Sequence, residues 1–208
     1  MAKNQLLWQD PGSVDRLDCA LKSGEIVLIS SDTVLGLSAP LTLAGFEALN
    51  RMKGREKKPY LIILSDKRQV SEYCHIPVSS RIEQLMAQCW PGPLTLILPA
   101  RPDIAPFLTR GRASIAIRIP AHTPLLALLS RVGGLFSTSA NIAGGPIPET
   151  LDQVDSTIVQ QVGLVVTDGK EGSTTPSTLL DCTTDQIRLV RQGAYEISAL
   201  EKICGPIV

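Results

Sequence analysis

Histidine is nearly missing from this 208-residue chain, which has only His75 and His122. Five cysteines stand apart at positions 19, 74, 89, 182 and 204, and no two have CxxC spacing. Without close pairs or a histidine cluster, the spacing of a zinc site is absent. The odd, scattered cysteines read as reduced, buried thiols of a cytoplasmic protein rather than a disulfide framework. GxxxxGK[ST] and GxGxxG are both lacking, so a bound nucleotide cannot rest on either standard phosphate loop. GxSxG is lacking too, which excludes a nucleophile elbow. No apolar stretch approaches the roughly 20 residues of a membrane helix. Residues 132–148 carry no charge but are rich in Gly, Ser and Pro. The start, Met-Ala-Lys-Asn-Gln, runs into Asp10-Pro11 without the apolar core of a signal peptide. A cytoplasmic location with no membrane contact is therefore expected. Net charge is also lacking, because 20 basic side chains balance 20 acidic ones. Only a local cluster could recognise a polyanion.

What is present is a globular composition, 44% hydrophobic and 19% charged, of a length that fits one domain spanning residues 1–208. Short apolar runs alternate with helical patterns, as in α/β proteins. Strands are expected over 25–30, 60–65, 94–98, 114–119, 135–137, 164–167, 178–182 and 187–191. Helices are expected over 42–52, over 81–89 and after Pro124. In 114–119 the alternation is clean: Ile115, Ile117 and Ile119 face one way, Ser114, Ala116 and Arg118 the other. So many strands beside few long helices predict a twisted, mixed sheet with helices packed on it.

Six segments carry candidate chemistry. Ser30-Ser31-Asp32-Thr33-Val34-Leu35-Gly36-Leu37 puts hydroxyls at the end of a buried strand, where open α/β sheets bind ligands; a helix N-cap or turn would look the same. Arg51-Met52-Lys53-Gly54-Arg55-Glu56-Lys57-Lys58 holds five basic residues and one acidic, a local charge of +4. That suits a polyphosphate clamp, or a solvated helix end whose cations complement the dipole. Trp90-Pro91-Gly92-Pro93-Leu94-Thr95 reads as a rigid loop before a strand. Arg118, on the polar side of its strand, needs an ion-pair partner or a ligand anion. Ser137-Thr138-Ser139-Ala140-Asn141 followed by Gly144-Gly145 lets a ligand approach backbone closely, or forms a plain turn. Ser177 and Arg191 would meet across a late hairpin.

In this order, the segments resemble the YrdC-like, or TsaC-type, family of L-threonylcarbamoyladenylate synthases. The likeness runs from about Glu25 to Gly193. It rests on the Asp32-Thr33-Val34 segment, Lys53-Gly54-Arg55, the Trp90 block, Ser114 to Arg118, Ser139-Ala140-Asn141, Ser177-Thr178 and Arg191-Gln192-Gly193. The resemblance implies an open, twisted, mixed α/β sheet around a concave basic cavity, in the single-domain form. It implies an ATP-dependent nucleotidyltransferase that makes threonylcarbamoyl-AMP and pyrophosphate from L-threonine, bicarbonate and ATP. Lys53 and Arg55 would be catalytic. ATP would lie on Lys53, Arg55, Lys58, Ser114, Ser139, Asn141 and Arg191, and threonine on Thr33, Arg118, Ser137 and Ser177. Mg2+ would be held mainly through the phosphates, with no protein metal site. A downstream threonylcarbamoyl transferase would pass the group to tRNA, and tRNA or double-stranded RNA is a possible direct partner.

The sequence departs from the family pattern at four places. Ser30-Ser31 replaces Pro-Thr, Leu35 replaces a common Tyr, the stretch after Arg55 is one residue short, and Ile63 stands where many two-domain members carry a His. Leu35 and Ile63 are thus expected as aliphatic positions near the threonine. Two other readings share the fold. One is a YciO-like nucleic-acid-binding relative with weak or different activity. The other is a carbamoyl-transfer relative like the corresponding domain of hydrogenase maturation proteins.

Overall fold

The computed structural model describes residues 4–54, 59–169 and 173–208. Arg55 and Lys58 of the basic cluster lie outside the described residues. The strands are β1 (Gln5–Leu7), β2 (Val27–Ile29), β3 (Gly36–Pro40), β4 (Leu61–Ile63), β5 (Leu94–Pro99), β6 (Ser114–Arg118), β7 (Leu135–Ser139), β8 (Leu164–Thr167), β9 (Thr178–Asp181) and β10 (Arg188–Arg191). The helices are α1 (Ser13–Lys22), α2 (Leu43–Lys53), α3 (Val70–Tyr73), α4 (Ser80–Cys89), α5 (Pro106–Thr109), α6 (Thr123–Val132), α7 (Ser156–Gln161) and α8 (Ile197–Cys204). All the expected strands and helices occur, with ends shifted by a residue or two. β1, β3, α1, α3, α5, α7 and α8 were not expected; β3 begins in Gly36 and Leu37, read as the tail of a ligand segment.

The ten strands form one sheet in the order β1-β8-β2-β3-β7-β4-β6-β5-β9-β10. The β1–β8, β8–β2, β4–β6 and β5–β9 pairs are parallel and the others antiparallel. The mixed sheet follows from this winding.

Strand periodicity of two divides the core into two layers. Leu28, Leu37, Ile62, Leu96, Ile115, Ile117, Phe136 and Leu180 belong to the larger apolar cluster, with residues of α2, α4 and α8. Val27, Ile29, Ile63, Leu135, Leu164 and Val166 face the other way, against Leu17 and Leu21 of α1 and Leu125, Leu128 and Leu129 of α6. β2 and β8 are buried on both faces, so they read as unbroken apolar runs instead of alternating ones.

Two helix ends bear on the site. The Thr42 hydroxyl caps α2 by accepting from Gly45 N at 3.1 Å. The helix stops at Gly54, whose φ of 55° lies in the left-handed region that glycine enters without strain. This stop leaves Lys53, the last helical residue, buried in the protein. At α6, His122 Nδ1 accepts from Leu125 N at 3.2 Å, and Pro124 fits the first turn because no N–H is needed there.

Candidate functional site

The second face of the sheet runs from the α1–α6 layer into a cavity of about 300 Å³. Ile29, Ile63 and Leu125 belong both to the apolar layer and to the cavity wall. The lining continues along the same face through Gly36, Leu61, Thr95, Ala116, Arg118, Ser137, Ser139 and Leu179, which together with Ile29 of β2 spans seven neighbouring strands. The period of two places these residues opposite the isoleucines and leucines of the larger core. Sequence patterning therefore builds the cavity face directly.

Of the expected site residues, Thr33, Arg118, Ser137, Ser139, Ser177 and Arg191 come together on this wall. Among the described lining residues, Arg118 and Arg191 are the only charged ones. Ser114 lies two residues before Ala116 on the same strand face, outside the lining.

Arg118 is only 4% exposed, and its three guanidinium nitrogens go to different partners. Nε donates to Gly92 O at 3.0 Å and Nη1 to Thr33 Oγ1 at 2.7 Å, while Nη2 pairs with the Asp32 carboxylate. Asp32 Oδ2 also accepts from Ala121 N at 2.9 Å. Both alternatives raised by the sequence meet here: the structural ion pair exists, and it faces a ligand-sized cavity. Burial pushes the Arg118 guanidinium below the usual arginine range, and the Asp32 carboxylate opposes that push. Guanidinium remains charged throughout.

Arg191 and Ser177 meet across the β9–β10 hairpin, as expected. Arg191 Nη2 donates to Ser177 O at 2.9 Å. Among the described residues it pairs with no carboxylate. Burial, and then the neighbouring Arg118 charge, depress its pKa. The Ser177 hydroxyl bonds to Thr95 Oγ1 at 2.7 Å. Gly193 allows this packing, since a Cβ there would lie 2.2 Å from Pro176 O.

Lys53 approaches from the end of α2. Its ammonium donates to Ser139 O at 2.8 Å, to Asn141 Oδ1 at 3.0 Å and to the Asn141 carbonyl. Ser139 Oγ donates to Asn141 Oδ1 at 2.6 Å. Ser137 and Ser139 share the cavity face, but β7 ends at Ser139. Asn141 therefore turns off the alternation and does not line the cavity.

Leu35 corrects an expectation. It is buried in the larger apolar cluster on the opposite side and does not line the cavity. Ile63 does line it, paired in register with Arg118. Sequence reasoning assigned no role to Asp32, Gly92 or Thr95. Thr95, a polar residue 2% exposed within the apolar run 94–98, carried a readable signal. Asp32 carried one only once its partner was known.

A family model described as Telomere recombination (Sua5, YciO, YrdC) matches residues 19–193. The threonylcarbamoyl-AMP synthase of Bacillus subtilis is 31% identical over 208 residues, 98% of this chain and 60% of that protein. The putative threonylcarbamoyl-AMP synthase of Methanocaldococcus jannaschii is 34% identical over 182 residues, 86% of this chain and 85% of that protein. This chain thus spans less than two thirds of the first relative but most of the second. Among solved structures, P. abyssi Sua5 complexed with L-threonine superposes with a TM-score of 0.85 at 28% identity, covering 94% of this chain and 58% of that one. Matched nearly end to end in sequence and in fold, the chain belongs to the Sua5/YciO/YrdC family.

Proposed function

We propose that this chain is an L-threonylcarbamoyl-AMP synthase, a nucleotidyltransferase that joins L-threonine, bicarbonate and ATP and releases pyrophosphate. The observation that carries this reading is the cavity wall, where two arginines and a set of hydroxyls surround an apolar floor. The two relatives named as threonylcarbamoyl-AMP synthases support it, as does the L-threonine complex of P. abyssi Sua5. All described strands join one sheet, which supports reading residues 1–208 as one domain.

In this reading Arg118 and Thr33 take the threonine carboxylate, because a guanidinium fork matches two carboxylate oxygens. Ser137 and Ser177 take its amine and hydroxyl. Ser114, Ser139, Asn141 and Arg191 serve the nucleotide, with Lys53, Arg55 and Lys58 on the triphosphate side. The threonine amine adds to bicarbonate and water leaves, giving a carbamate. A carbamate oxygen then attacks the α-phosphorus, and pyrophosphate leaves with the electron pair of the broken P–O bond. No protein nucleophile is needed. The protein contributes positioning and charge neutralisation.

Among the described residues, no three His, Cys, Asp or Glu side chains gather as a metal site. The described cavity wall has no carboxylate. Mg2+ accordingly fits as part of the ATP complex, held by phosphate and water oxygens. The product's next step is transfer to adenosine of tRNA by a partner transferase, with direct tRNA or double-stranded RNA contact as an added role. None of the helices among the described residues is long and apolar enough to cross a membrane.

The test is pyrophosphate release with each substrate omitted in turn. Release should require threonine, bicarbonate and ATP together. Release that persists without threonine overturns the reading, and tight RNA binding alongside it would favour the nucleic-acid-binding relative.

A further inference from the structure

The proposed reaction puts two very different anions into one cavity: a monocarboxylate and a triphosphate. Guanidinium forks bind phosphate as readily as carboxylate. An unguarded Arg118 would therefore collect phosphate groups at the amino-acid end. The position of Asp32 answers this problem.

Asp32 pairs with Arg118 and is not among the residues that line the cavity. Its side chain is 12% exposed and that of Arg118 is 5% exposed. One carboxylate oxygen accepts from Ala121 N at 2.9 Å, which ties the group to the backbone. The other holds Arg118 Nη2. Arg118 is also fixed by Gly92 O and Thr33 Oγ1, which leaves one N–H on each terminal nitrogen. With Arg191 on the same wall, two positive charges and one negative charge leave the end of the cavity near Arg118 with a net charge of +1.

We propose that Asp32 is a specificity-determining residue: its charge reserves Arg118 for a monocarboxylate and turns phosphate away. This rests on the synthase reading for the identity of the carboxylate, but not for the exclusion of phosphate. Asp32 acts through Arg118 and does not touch the ligand.

The test is binding of inorganic phosphate and of L-threonine by calorimetry, without ATP, so no turnover is involved. Asp32→Asn keeps the side-chain shape and an oxygen for Arg118 while removing the charge. It should bind phosphate roughly tenfold tighter or more, the scale of one charge removed near a partly buried anion site. Phosphate should then compete with threonine. Asp32→Glu, which restores the charge, should return phosphate affinity towards wild type. A merely structural role predicts loss of binding, never this gain. Unchanged or weaker phosphate binding in folded Asp32→Asn overturns the proposal. Should that variant not fold, wild type decides: phosphate at millimolar concentration that displaces threonine overturns it, and phosphate that leaves threonine bound supports it. If Asp32→Asn gains phosphate while neither protein binds threonine, the charge role stands and the synthase reading falls.

Discussion

Lys53 Nζ donates to Asn141 Oδ1 at 3.0 Å, joining the last residue of α2 to the loop after β7, 88 positions away. The same ammonium holds Ser139 O at 2.8 Å. In this geometry Lys53 shapes the Ser139–Asn141 turn from within. A phosphate role for Lys53 therefore works together with that turn, not as a lone exposed charge.

Lys53→Met should accordingly lose stability as well as activity. Hydrogen bonds from a charged donor contribute about 1.5–3 kcal/mol, and the acceptors left behind are poorly solvated. Urea unfolding of wild type and variant measures the loss. An unchanged midpoint would show that the contacts to residues 139 and 141 contribute nothing to the fold.

Ile63→His tests the amino-acid end of the cavity. Ile63 is 4% exposed and packs with Leu125 and Leu135. Losing its apolar burial should lower stability by about 1.5–3 kcal/mol. A new neutral hydrogen bond to threonine is worth about 0.5–1.5 kcal/mol, so affinity should rise up to about tenfold. Calorimetry with L-threonine reads the affinity and thermal unfolding reads the stability. Affinity that does not change would place the amino acid away from residue 63.

The buried thiols predict a pH dependence. Burial pushes the Cys74 and Cys182 thiols up to about 12, from 9.0 for a free thiol. In the unfolded chain these thiols ionise near the free-thiol value, so above it the unfolded state binds fewer protons than the native state. Their contribution is fully present below about pH 9 and is lost as pH rises towards 12. Each thiol contributes a slope of about 1.4 kcal/mol per pH unit inside that window. Chemical denaturation under reducing conditions between pH 8 and 10.5 should show the decline. A Cys74→Ala, Cys182→Ala double variant should show less of it, and an equal decline in both proteins would refute the assignment.

Eight of the ten described strands were legible in the sequence alone, and for β6 so was the side that would meet a ligand. Ile115, Ile117 and Ile119 against Ala116 and Arg118 is a local pattern, because successive strand residues point to opposite faces wherever the strand sits. The Thr42 cap and the Gly54 stop of α2 are equally local, since helix ends are settled within one turn, but the sequence reading named neither and took Thr42 into the helix. The resemblance then brought Thr33, Arg118, Ser137 and Ser177 together before any coordinates did. Only the tertiary structure decided which polar groups touch. Asp32 reaches Arg118 across 86 residues, and Lys53 reaches Ser139 across 86. Both contacts depend on the strand order β2-β3-β7-β4-β6, which no local period encodes. Leu35 shows the same limit from the other side. Its place in the larger core, away from the cavity, was fixed by the chain's turn into β3, where the hydrogen bond from Ala140 N to Leu35 O at 2.9 Å anchors the backbone. Side-chain character is written residue by residue, whereas partnership comes from how distant strands are stacked beside one another.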